Sequence, residues 1–363
     1  MGDRPAVTMP RVLFGAGSLD PGNGGICRVA RLMAKALAEE RVAGRLDVTA
    51  EVYEDQKPTG QFAFPVRTSR GSKAGFLLNV HRSAASCSHA IYDSDSMARA
   101  RPRIRPLRRP WMAWIHGIEV WEDAIPRRPR VVRQADLLVA NSEYTKQRAT
   151  RVWGGFERSR VCWLATEEDE PPAPRPPADG PPRVLILSRI DNLRYKGHDE
   201  LISIWPRVCA AVPDAELVIV GRGPGSARIA ELAARSPAAA RIRCAGFIPD
   251  EKMAAVWAGA SIFAMPSRGE GFGLVYIEAM RHGLPVIAST EDAAQEINRH
   301  GATGYNVPIR ATTDLEDAIV HLLRHRDEAA RMGENAREHW RKNFRYSCFR
   351  QRWLPLLRDL LAR

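Results

Sequence analysis

The chain reads as an α/β protein of two domains, each a parallel sheet covered by helices. Short apolar runs alternate with stretches whose apolar residues recur at helical spacing. That alternation stops once, at the proline-rich stretch EEDEPPAPRPPADGPP (167–182), and then starts again. A length of 363 residues also exceeds what one ordinary core holds. The expected layout is a first Rossmann-like domain over 1–166, a linker over 167–182, a second such domain over 183–345 and a closing helix over 346–363.

In chain order, RVLFG predicts the first strand, AGSLDPGNGG its loop and ICRVARLMAKALAEE a helix. DVTAEVY, FLLNV, HAIYD, WMAWI and DLLVAN follow as candidate strands. SEYTKQRATRVW then opens a helix with Ser142 as its N-cap. Beyond the linker come strands RVLILS, ELVIVG, RIRCAGF, SIFAMPS and PVIAS. Between them lie helices HDELISIWPRVCAAV, SARIAELAARS and DEKMAAVWAGA, the first with Pro206 as an expected kink. A further helix is expected between Gly273 and Gly283, and three helical stretches close the chain after Thr313. Ligands of such sheets gather beyond the carboxyl ends of the strands, so chemistry is sought in those loops.

No run approaches the roughly eighteen apolar residues of a membrane span. The N-terminal stretch lacks a signal peptide's apolar core, and Ala6 stands where myristoylation would want Ser or Thr. The six cysteines are scattered without a CxxC pair, which suits reduced thiols in a cytoplasmic protein and argues against zinc. The net charge of +12 points to phosphorylated small molecules, an anionic membrane surface or nucleic acid. Part of the excess lies in RARPRIRPLRRP (Arg99–Pro110), with six arginines and no acid. A solvated loop, or contact with an anionic acceptor or lipid surface, explains it better than nucleic acid. Its prolines break any recognition helix, and no aromatic alternation offers stacking.

SRIDNLRYKGHDE follows the strand RVLIL and puts Arg189 and Lys196 just before a helix start at His198. Two cations and a helix N-terminus suit a diphosphate. VGRGPG and GAGSLDPGNGG are glycine-rich but carry no complete dinucleotide fingerprint. WIHGIEVWE sets His116 at a strand's carboxyl end. In SRGEGFGLVYIEAMRHG, Glu270 lies in the loop and Glu278 eight residues on, inside the helix. Eight helical residues span about 12 Å, more than the roughly 5–9.5 Å between the paired carboxylates of glycoside hydrolases. Two grips on one extended ligand are therefore preferred to a hydrolytic pair.

Together these motifs resemble the retaining glycosyltransferases of family 4, with the GT-B fold and the E-x7-E signature. PGNGGICRVARLMAKAL, WIHGIEVW, ADLLVANSEYTKQR, SRIDNLRYKGHDEL, ELVIVGRGP and GFIPDEKMAAVWAGASIFAMPS are similar to that family's segments in order and spacing. The resemblance implies two Rossmann-like domains facing a central cleft, with the terminal helix crossing back onto the N-terminal domain. It implies that Arg189 and Lys196 bind the donor diphosphate, Glu270 the sugar hydroxyls and Glu278 the ribose. Phe272, Gly273 and Leu274 would offer backbone amides. His116 would lie beside the donor sugar and Gly25 near the phosphates, with Ile248 and Lys252 at the base. The donor would be a UDP- or GDP-sugar, with no metal and no other cofactor. The acceptor would be a sugar, a lipid-linked glycan or a small molecule, as in cell-surface polysaccharide or lipid-linked oligosaccharide assembly. A cytoplasmic place is expected, with a peripheral contact at an anionic inner membrane face also open.

STEDAAQEI and WLATEEDEP depart from the family's late glycine pair and its asparagine-glycine turn, which bears on donor and acceptor details. YDSDS holds Asp93 and Asp95 in a DxD pattern that binds metal in a different glycosyltransferase fold. Arg and Lys can supply the same positive charge, so no metal role is assigned to it. A nucleotide-sugar epimerase of the same fold and a basic nucleic-acid-binding protein are the alternatives.

Overall fold

The computed structural model describes residues 9–21, 24–121, 129–173, 180–193 and 195–363. The chain divides into two compact units, Met1–Glu167 with Tyr346–Arg363, and Glu168–Arg345.

The first unit is built on a seven-stranded sheet. Its strands are β1 (Arg11–Ala16), β2 (Asp47–Val52), β3 (Val66–Thr68), β4 (His89–Tyr92), β5 (Trp111–Ile115), β6 (Leu137–Ala140) and β7 (Arg160–Val161). They lie in the order β3-β2-β1-β4-β5-β6-β7, and every pairing is parallel. Trp111 to Ile115 are all buried, the continuous apolar run expected of a parallel strand covered on both faces.

The segment FLLNV is not a strand. It lies inside the helix Lys73–Ser86, where Phe76, Val80, Ser83 and Ala84 form the buried stripe. Ser72 caps that helix by accepting the Gly75 N–H at 3.1 Å, so a local hydrogen bond and the 3.6-residue period prevail over the short apolar run. The Glu143–Trp153 helix has the expected cap, Ser142 accepting the Thr145 N–H at 3.0 Å.

The terminal helix, Tyr346–Leu361, belongs to the first unit. Phe349 packs 6.2 Å from the buried Trp114 ring and stacks on Trp353. Arg350 reaches Glu39 and Glu40 at 2.6 and 3.0 Å, and the Lys35 ammonium lies 3.7 Å from the Tyr346 ring.

The second unit has six strands: β8 (Arg183–Leu187), β9 (Glu216–Val220), β10 (Ile242–Gly246), β11 (Ile262–Ala264), β12 (Val286–Ser289) and β13 (Gly304–Val307). The order is β10-β9-β8-β11-β12-β13, again all parallel. The chain runs outward from β8 to β10 and then returns to β11 on the other side of β8. The strand order therefore reverses between β8 and β11, where doubly wound sheets bind ligands at their carboxyl ends.

Candidate active site

Arg189 and Lys196 come from the loop after β8, and Glu270 from the loop after β11. They thus flank the reversal point of the second sheet. The Lys196 ammonium forms an ion pair with the Glu270 carboxylate, with side chains only 10% and 17% exposed. The ammonium also lies 4.5 Å from the centre of the Tyr195 ring. Burial works against the ammonium, but Glu270, Tyr195 and Asp292 outweigh it and hold its pKa above the ordinary lysine value. It is a fixed cation.

Arg189 is different. It is exposed and makes no ion pair among the described residues, so its guanidinium is available to an anion. Its loop is held by the GRGPG loop after β9. Ser188 N–H donates to the Val220 carbonyl at 3.2 Å and Ile190 N–H to Arg222 at 3.2 Å, while Gly225 N–H donates to Ile190 at 3.1 Å. A Cβ at Gly221 would run into the Ser188 carbonyl oxygen, and one at Gly223 into that of Ile190. These glycines serve backbone-to-backbone packing.

Two helices start beside the pair. His198–Ala211 begins after Gly197 and Leu274–Arg281 after Gly273, both glycines at φ +88° and neither giving a side-chain cap. First-turn N–H groups without such caps suit an anion. Phe272 buries its ring against Phe344, and Tyr276 ties its helix to the end of β11 by donating to the Met265 carbonyl at 2.8 Å. Glu278 is half-buried in the second turn of that helix. His198 is buried, its pKa pushed down to about 4 by desolvation, so it adds no charge at neutral pH.

Asp292 was missed in the sequence. Fully buried, it accepts the Glu270 N–H at 3.1 Å and the Ala294 N–H at 2.9 Å, fixing the backbone that carries Glu270. Burial pushes its pKa up to about 7. Its one legible sign is its place two residues before the short helix Ala294–Ile297. Tyr195 was also missed; a Cβ at Gly269 would meet its ring at 2.5 Å, so that glycine admits the ring beside Lys196.

Ile248 and Lys252 lie beyond β10, Ile248 half-buried and Lys252 exposed. Beside them the Arg222 guanidinium stacks 4.2 Å from the ring of Phe247, which is 55% exposed. This flat cationic platform had no signal in the sequence except an aromatic at a strand's end.

In the first unit, His116 follows β5 and is half-buried. Its Nε2 contacts the Asp93 carbonyl oxygen at 2.6 Å, its ring stacks near Trp114, and its backbone N–H donates to Glu119. With Nε2 as the donor, Nδ1 is left as an acceptor. Asp93 is buried, accepts the Gly17 N–H at 2.7 Å and the Ser94 hydroxyl at 2.8 Å, and has its pKa pushed up to about 6 by burial. Asp95 pairs with Arg99 at 3.3 Å. No group of three His, Cys, Asp or Glu placed to hold a metal occurs among the described residues. Gly25 is exposed and opens the Gly25–Val42 helix, after Gly24 at φ +92°.

Residues 168–339 match the family model described as glycosyl transferases group 1. A GDP-mannose-dependent alpha-(1-6)-phosphatidylinositol monomannoside mannosyltransferase of Mycobacterium tuberculosis is 30% identical over 267 residues, covering 68% of this chain and 69% of the relative. The chain belongs to the group 1 glycosyl transferases. Another relative is a GDP-mannose-dependent monoacylated alpha-(1-6)-phosphatidylinositol monomannoside mannosyltransferase of Corynebacterium glutamicum. It is 30% identical over 271 residues, 68% of this chain and 70% of that one. Among solved structures, Anabaena HepE in complex with UDP-glucose superimposes with a TM-score of 0.78 at 20% identity, covering 96% of this chain and 99% of that one. This group 1 glycosyl transferase therefore has the GT-B fold. The Lys196–Glu270 pair and the Arg189 loop all lie within the segment that the family model matches.

Proposed function

We propose that this glycosyltransferase moves a sugar, with retention of anomeric configuration, from a nucleotide-diphosphate sugar to a lipid-linked acceptor, and that GDP-mannose is its donor. The observation that carries the reading is the Lys196–Glu270 pair and, in the same loop as Lys196, an exposed Arg189 with no ion pair among the described residues, at the sheet's reversal point. Donor and acceptor class are supported by the names of the two mannosyltransferase relatives.

Cleavage of the bond from C1 to the diphosphate oxygen sends its electron pair to the diphosphate. Arg189, Lys196 and the two helix starts meet that charge in a partly desolvated place. The acceptor hydroxyl bonds to C1 on the face the diphosphate leaves, and its proton passes to the departing phosphate oxygen. Glu270, committed to Lys196, is a poor nucleophile and a good acceptor for sugar hydroxyls. Glu278 holds the ribose, Phe272, Gly273 and Leu274 offer amides, and Ile248 and Lys252 meet the base. No step uses a metal. The enzyme works in the cytoplasm, peripherally at the inner membrane face.

The test is a panel of GDP- and UDP-sugars, with the product anomer read by proton NMR. Turnover with GDP-mannose and a product of the donor's own anomeric configuration are expected. An inverted anomer would contradict retention. A modified sugar released without acceptor would favour an epimerase.

A further inference from the structure

A second site lies under the arginine-rich loop of the first unit. The chain leaves β4, passes through the short helix Asp95–Ala98 and returns to β5 along Arg99–Pro110. Against this loop is an open cavity of about 420 Å³. Arg101, Arg103, Arg108 and Arg109 line it together with Tyr92 and Trp111, and no carboxylate is among the lining residues.

Two of its groups are buried donors with nothing to bond. Arg101 is 9% exposed, its guanidinium lies 4.7 Å from the Trp111 ring, and its Nη2 donates to Gln134 at 2.6 Å. Its Nη1 is buried and has no hydrogen-bond partner. Tyr92 is fully buried and its hydroxyl has no partner either. Folds rarely leave such groups unsatisfied, and a ligand supplying acceptors is one explanation. Arg109 is already spent on the Cys87 carbonyl at 2.6 Å. Arg103 and Arg108 are both exposed, and both add to the burial that depresses the Arg101 pKa. The acid that bears on Arg101 is Asp95, and it is paired with Arg99 at 3.3 Å.

We propose that this cavity binds a phosphate ester, with Arg101 Nη1 and the Tyr92 hydroxyl donating to its oxygens and Arg103 and Arg108 flanking it. A tetrahedral dianion takes several donors at once and answers a lining of arginines without acids. The cavity exceeds one phosphate, which leaves room for an attached polar group. Trp111 opens β5, whereas His116 follows its far end roughly 13 Å away. The cavity's lining belongs to the first unit, whereas Arg189, Lys196 and Glu270 belong to the second.

Calorimetric titration with inorganic phosphate at constant ionic strength tests it. An Arg189→Ala background removes the exposed guanidinium of the second unit's candidate site from the signal. Adding Arg101→Met should weaken phosphate binding about tenfold or more, and adding Tyr92→Phe several-fold. Tyr92→Phe deletes only an unpartnered hydroxyl, so that variant should fold normally. Unchanged phosphate binding in folded Tyr92→Phe and Arg101→Met, or no phosphate binding by the parent, would overturn the proposal. Glycerol 3-phosphate and phosphatidylcholine vesicles carrying phosphatidylinositol separate the two sources of the ester. Loss of vesicle binding in both variants assigns the cavity to a lipid headgroup. Intact vesicle binding with lost glycerol 3-phosphate binding assigns it to a soluble ester.

Discussion

Arg189 and Lys196 share one loop but answer to different constraints. Arg189 is exposed and unpaired among the described residues, so Arg189→Ala should leave stability within about 0.5 kcal/mol. The same change should slow transfer about a hundredfold or more, because a charge proposed to face the leaving group is lost. Thermal melts and steady-state rates on one preparation check both halves. Lys196→Ala removes half of a buried pair and should cost stability as well as rate, on the order of 3–5 kcal/mol. Asp292 makes a pH prediction. Its native pKa of about 7 stands above the ordinary 3.8, so the native state binds its proton more tightly than the unfolded chain. Its contribution to stability is therefore largest at low pH and is lost as pH rises from about 4 through about 7. Melting temperature should fall more steeply across that window in the wild type than in Asp292→Asn. Parallel curves would contradict this.

At the scale of the element, the site is two loops held by a third. Gly223 packs against the Ile190 carbonyl, so Gly223→Ala should displace the Arg189 loop without touching a ligand group. The expected result is a loss of about 1–3 kcal/mol in stability and a raised donor KM, measured together. The strands that frame this site were legible because β8, β9 and β12 are short, nearly continuous apolar runs after polar loops. β3 and β7 have three and two residues, too few to carry a period, and were not found. FLLNV misled because an apolar run that short is strand-like until Ser72 and the i, i+4 stripe are weighed. In the site, residue types at strand ends pointed to Arg189, Lys196 and Glu270. What they did not disclose was that Lys196 pairs with Glu270, or that Asp292 holds the Glu270 backbone. Those are contacts across 74 and 22 residues, set by sheet order rather than by local sequence.

At the scale of the molecule, the terminal helix completes the unit built from the chain's beginning. Trp353 and Phe349 are fully buried there, and Trp353→Ala should cost about 3–5 kcal/mol in the unfolding of that unit. Calorimetry should show the loss in one transition while the other, belonging to Glu168–Arg345, stays in place. A nucleoside diphosphate should do the reverse and raise the second unit's transition, since the groups proposed to hold it lie there.

The central claim is that the second unit grips a diphosphate through Arg189 and Lys196. Its most direct test compares a nucleoside diphosphate, GDP or UDP, with its own monophosphate by calorimetric titration of wild type and Arg189→Ala. The wild type should bind the diphosphate about tenfold or more tightly than the monophosphate, and Arg189→Ala should bring that ratio close to one. A ratio unchanged by the substitution would contradict the account.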